Sequence, residues 1–113
     1  MAAKNLLIEA PPYEVERAIK LLGQNLRRAR LRRNLTIEQV AQKIGTGQRA
    51  VMDAEKGKLT TGIAVYTALL WSYDLLRPMA DLADPAGDSE GLTLARLTGR
   101  SRARVREDLD SDF

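Results

Sequence analysis

The sequence predicts an all-α chain of five helices. Three features carry that expectation: apolar residues three and four apart from Tyr13 to Arg33, a helix-start signature at Thr36 to Gln39, and glycines at 45 and 57 where helical patterns stop. A chain of 113 residues has room for one modest domain plus tails. The reading divides it into an N-terminal arm at 1–12, a helical domain at 13–83, a turn with a short helical extension at 84–98, and a charged tail at 99–113.

The arm holds Leu6, Leu7 and Ile8 between polar neighbours and ends at Pro11-Pro12, so it is expected to be an arm or a short strand rather than a helix. After Pro12 the first helix lines up Val15, Ile19, Leu22, Leu26 and Ala29 on one face, with Arg17, Lys20, Arg27, Arg28 and Arg32 opposite. Leu35-Thr36-Ile37-Glu38-Gln39-Val40 then forms a capping box with a hydrophobic staple. The Thr36 hydroxyl takes a free backbone N–H, the Gln39 side chain reaches back, and Leu35 packs on Val40. A second helix therefore runs from Ile37 to Ile44 and stops at Gly45, which tolerates the left-handed conformation that ends helices. Thr46 or Gly47 can cap a third, Gln48 to Lys56, closed by Gly57. Ile63, Tyr66, Leu69, Leu70 and Tyr73 mark a fourth helix. Pro78 is expected to open a fifth with Met79 and Leu82 inward. Asp84-Pro85-Ala86-Gly87 reads as a turn, followed by a brief helical piece around Leu92 to Leu97. The tail carries Arg100, Arg102, Arg104 and Arg106 ahead of Glu107, Asp108, Asp110 and Asp112, with too little apolar surface to offset ordering, and is expected to be disordered when alone.

Composition narrows the function. Cysteine and histidine are both absent, which removes thiolate metal sites, disulfides, and the commonest metal ligand and general base. Acidic residues occur only as scattered helix or tail charges, and there is no Gly-rich phosphate loop, so no enzyme, cofactor or metal is expected. The sequence has neither an apolar run of membrane-spanning length nor a signal-peptide pattern, and a cytoplasmic protein is the expectation. Net charge is +3, unevenly placed: residues 1–60 hold twelve Lys or Arg against six acids, residues 61–113 six against nine. The basic half is the candidate nucleic-acid face, although basic helices are as often plain solvated surface.

Two short helices joined by a Gly-containing turn, the second presented to solvent, make a helix-turn-helix. At Ala41-Gln42-Lys43-Ile44-Gly45, Val51 and Glu55-Lys56-Gly57 the sequence resembles the Xre, or Cro/cI repressor-like, family, over roughly Leu22 to Ala83. The resemblance implies a five-helix repressor-like domain that binds duplex DNA and an ion pair between Arg30 and Glu55. It places base-contacting positions at Gln48, Arg49, Met52 and Asp53. Gln48 suits adenine and Arg49 guanine; Met52 offers apolar surface to a thymine methyl. Asp53 repels phosphate unless it accepts from cytosine or pairs with a neighbouring Arg. Backbone phosphates would meet Thr36, Ile37, Gly47, Lys58 and Arg28. Ile37 stands where the family usually has Gln, which loses a side-chain clamp on phosphate.

Such domains usually bind palindromic operators as two-fold dimers, and Tyr66, Leu70, Trp71, Tyr73, Leu75 and Met79 offer apolar surface for a homodimer, or simply core. Pro12-Tyr13-Glu14-Val15-Glu16, Leu82-Ala83-Asp84-Pro85, Gly91-Leu92 and the charged C-terminus further resemble HipB-like antitoxins. That likeness implies a repressor of its own operon that also binds a HipA-like serine/threonine kinase toxin. The tail residues Arg100, Arg102, Arg104, Leu109 and Phe113 are the expected partner-binding groups. Two alternatives stay open: a stand-alone regulator, or a protein-interaction module whose helix-turn-helix has lost DNA binding.

Overall fold

A computed structural model describes residues 5–99; the expectations placed on residues 100–113 lie outside it. Among the described residues the chain is helical and contains no strand. No helix is long and apolar enough to cross a membrane. The chain divides into two compact units between Arg77 and Pro78.

The first unit opens with a correction. Leu6–Glu9 forms a single helical turn, α1, where an arm or strand is expected. Asn5 is the reason, because its side chain accepts the Leu7 N–H at 3.1 Å and so starts a helix, while Pro11 and Pro12 bar its continuation. Helix α2, Tyr13–Arg32, follows Pro12. It buries Gly23, Leu26, Ala29 and Arg30, and leaves Val15 largely exposed at its first turn.

Helices α3, Ile37–Ile44, and α4, Gln48–Glu55, are joined by Gly45, Thr46 and Gly47. The Thr36 hydroxyl accepts the Gln39 N–H at 3.1 Å, and the Gln39 side chain accepts the Thr36 N–H at 2.9 Å. Helix α5, Ile63–Ser72, completes the core, in which Leu26, Ala29, Val40, Ala41, Val51, Ala54, Tyr66, Leu69 and Tyr73 are buried together. Tyr66 and Tyr73 are therefore core, not dimer surface. Tyr66 donates its hydroxyl to the Lys58 carbonyl at 2.8 Å, whereas the buried Tyr73 hydroxyl has no partner. Burial raises the pKa of both phenols, so both stay neutral at physiological pH. Ile63, read as part of the apolar face, is 65% exposed.

Helices α2, α4 and α5 end alike, by a left-handed residue that lets the next N–H reach back. At α2, Asn34 has φ 57° and Leu35 N–H donates to the Arg30 carbonyl; at α5, Asp74 has φ 59° and Leu75 N–H donates to the Leu70 carbonyl. Gly57 plays this part after α4 at φ 70°, with Lys58 N–H on the Asp53 carbonyl.

Two cations then settle on the C-terminal carbonyls of α5, where the helix dipole favours positive charge. Arg33 donates to the Tyr73 carbonyl at 3.0 Å and to the Ala29 carbonyl at 2.9 Å, and its guanidinium lies 5.3 Å from the centre of the Tyr73 ring. Lys43 donates to the Ser72 carbonyl at 3.0 Å, with the Trp71 ring 5.8 Å away.

The expected fifth helix is a second correction. Arg77–Asp81 makes only a 3-10 turn, and Leu82, expected inward, is 69% exposed. Ala83 takes φ 59°, and Asp84 stands in extended backbone before Pro85, so no long helix fits between the two prolines. In the second unit, Pro85–Gly87 is a 3-10 turn capped by Asp84, as the turn expectation required. Helix α6, Ser89–Leu97, starts where the Asp88 carboxylate accepts the Gly91 N–H at 2.9 Å; none of its residues is buried.

Candidate nucleic-acid interface

The site is organised around the way α4 is clamped. Gly23 on α2 faces the end of α4 so closely that a Cβ there would lie 2.5 Å from the Ala54 carbonyl oxygen and 2.7 Å from that of Glu55. In the other direction, a Cβ on Gly57 would meet the Lys20 Cα at 2.5 Å. The two backbones thus touch where neither carries a side chain. Two turns further along α2, Arg30 donates Nε to Glu55 Oε2 at 2.7 Å and Nη2 to Oε1 at 3.0 Å, both groups buried. Its Nη1 donates to the Leu35 carbonyl at 2.9 Å, so one guanidinium ties the loop before α3 to the last turn of α4. The Glu55 hydrogen bond, which outweighs the cost of burial, holds Arg30 above its ordinary pKa and keeps it charged.

Clamped on that side, α4 turns the other outward. Gln48 and Arg49 are exposed, and Met52 and Asp53 are half-buried one turn on. At 100° per residue these four and Lys56 share one arc, while Val51, Ala54 and Glu55 occupy the buried one. Lys56 is exposed and joins this face although sequence reading passed over it; the helical wheel was enough to find it.

Asp53 faces its own cations. Its Oδ1 is closed off from solvent, 3.2 Å from Lys58 Nζ and 3.7 Å from Arg49 Nε, at ion-pair distance and without hydrogen-bond geometry. The Gly57 turn produces this contact, because it folds Lys58 back over the Asp53 carbonyl. Arg49 nonetheless remains 77% exposed.

The expected phosphate contacts fare unequally. Thr36 spends its hydroxyl on the capping box, and Ile37 packs against the core. Gly47 is exposed in extended backbone at the start of α4, with no side chain to cap the helix's first N–H groups. Arg28 stands at the rim of two clefts, one with Gln24, Arg27, Leu31 and Glu55, the other with Asn25, Arg32, Arg33 and Leu75; neither includes Gln48, Arg49, Met52 or Asp53. Of the residues offered as dimer surface, Trp71 and, four residues on, Leu75 are exposed, while Leu70 and Met79 are half-buried.

No protein-family model, curated protein or solved structure matches this chain.

Proposed function

We propose that α3 and α4 form the helix-turn-helix of a sequence-specific DNA-binding repressor of the Xre, Cro/cI-like kind, with α4 as its reading helix. The observation that carries this reading is the face of α4. Gln48 and Arg49, side chains able to make two bonds to adenine and to guanine, stand exposed at its first turn, while its last turn is fixed by Arg30 and Glu55. Rigid backing matters because base readout tolerates little positional error. The unclosed N-terminus of α4 and the cations Lys56 and Lys58 supply the non-specific attraction to phosphate.

Such a domain would act as a homodimer on a palindromic operator, with half-sites one helical turn apart. The motifs beyond the domain favour an antitoxin-like repressor that acts on its own operon and restrains a HipA-like kinase, with the tail beyond residue 99 as its partner-binding segment. A second reading, an interaction module that no longer grips DNA, draws on Ile37, committed to the core, and on Asp53, which occupies two of the cations.

Two measurements bear on this. In a fluorescence-anisotropy titration of a labelled duplex from upstream of the gene, log affinity should fall linearly with log salt, at roughly −0.9 per phosphate neutralised. Affinity indifferent to salt contradicts the DNA reading. Asp53→Asn releases Arg49 and Lys58 and should tighten binding to all duplexes alike, by a factor of up to about five, the value of a half-exposed pair worth at most ~1 kcal/mol. Loss of preference at one base pair would instead make Asp53 a base reader.

A further inference from the structure

Along the C-terminal half of α2 runs a cleft of about 270 Å3, lined by Asn25, Arg28, Ala29, Arg32, Arg33 and Leu75. Three of the six are arginines and none is acidic. Arg28 and Arg32 are four apart on one helix, so they share a face and repel each other. Among the described residues, neither forms an ion pair.

The third arginine is immobilised. Both terminal nitrogens of Arg33 donate to carbonyls, which aligns its guanidinium along the Tyr73 ring and leaves its remaining N–H groups available. Leu75 is fixed as well, by the left-handed Asp74 and by its own N–H on the Leu70 carbonyl at 2.8 Å, yet remains exposed. One side of the cleft is therefore a preformed wall of guanidinium and aliphatic carbon, and the other carries two uncompensated guanidinia.

We propose that this cleft binds a small phosphate-bearing molecule, its phosphoryl oxygens on Arg28, Arg32 and Arg33, its less polar part against Ala29 and Leu75. Three forked cations exceed what one carboxylate can satisfy but match a phosphate, whose several oxygens and double charge accept from more than one guanidinium. The volume is several times the roughly 30 Å3 share of one water, so more than an inorganic ion fits. Leu75 sets an aliphatic surface beside the guanidinia, which suits a discrete ligand with a less polar part. This site does not depend on the DNA-binding reading, because none of the α4 face lines it.

The test is NMR of the arginine Nε–H and Asn25 amide resonances in the full chain, titrated with pyrophosphate against potassium chloride of equal ionic strength. Saturating shifts at Arg28, Arg32, Arg33 and Asn25, with Arg17 and Arg49 unmoved, are expected. Arg32→Gln, an exposed change, should weaken pyrophosphate at least tenfold while leaving the circular dichroism spectrum unaltered. Shifts that never saturate and spread over all arginines overturn the proposal, as does unimpaired binding by Arg32→Gln. Duplex DNA provides the other arm. If it leaves the cleft resonances unmoved the small-ligand site stands; if it moves them and displaces pyrophosphate, the occupant is backbone phosphate and the proposal fails.

Discussion

Replacing Gly23 by alanine should lower the unfolding midpoint by roughly 10 °C or more, the equivalent of about 2–3 kcal/mol in a domain of this size. In the interior of a helix the same change ordinarily stabilises, by roughly 0.5–1 kcal/mol. The sign reverses here because the added methyl would meet three backbone atoms, the Ala54 and Glu55 carbonyl oxygens and the Gly57 nitrogen, all under 3 Å. Backbone cannot rotate aside as a side chain can, so α2 and α4 must separate and the core between Leu26 and Val51 must loosen. Gly62→Ser is the control. That glycine is the N-cap of α5, with negative φ and nothing within 4 Å of a Cβ, so serine should be neutral or stabilising as a cap. A Gly23→Ala protein as stable as the parent would mean that the two helices do not meet at this point.

Breaking the ion pair should cost more. Glu55→Gln leaves the Arg30 guanidinium buried and without its counter-ion, a situation that typically costs about 3–5 kcal/mol. Arg30 cannot escape by losing its proton, so no pH in the physiological range relieves the variant. Exchanging both partners, Arg30→Met with Glu55→Leu, should restore most of the stability, because an apolar pair of similar volume avoids the desolvation of two charges. Chemical denaturation of the parent, Arg30→Met, Glu55→Leu and the double variant completes the double-mutant cycle. Purely additive losses would show that the pair contributes no coupling. The Arg30 bond to the Leu35 carbonyl adds a further expectation for the double variant: stability returns while the loop before α3 exchanges its amides faster.

The parts of this architecture that were legible in the sequence are those made by residues three or four apart. Thr36 with Gln39, and Gly45 and Gly57 as stops, are local chemistry and are read directly from spacing. Arg30 and Glu55 are twenty-five residues apart, and only a family resemblance brought them together beforehand. Gly23 carried a signal that was overlooked: a glycine inside an otherwise strong helix calls for a close neighbour. Asn34 and Asp74 were hidden because polar residues in left-handed backbone look no different in sequence from polar residues on a surface. Tyr66 and Tyr73 could be core or interface by composition alone, and their burial depends on how α5 lies over α3 and α4. In the site, the pairing of Asp53 with Lys58 could not be read from helical spacing, since the Gly57 turn, not the helix, brings Lys58 back.

If α4 reads DNA, its exposed first turn must discriminate between sequences. The most direct measurement compares wild-type chain and Arg49→Ala on a duplex from upstream of the gene and on a random duplex of equal length and salt. Arg49→Ala should lose about 1–3 kcal/mol on the first duplex, relax preference at one base pair, and change little on the second, whereas Lys58→Ala should weaken both alike. Equal losses for Arg49→Ala on both duplexes would contradict base reading by α4.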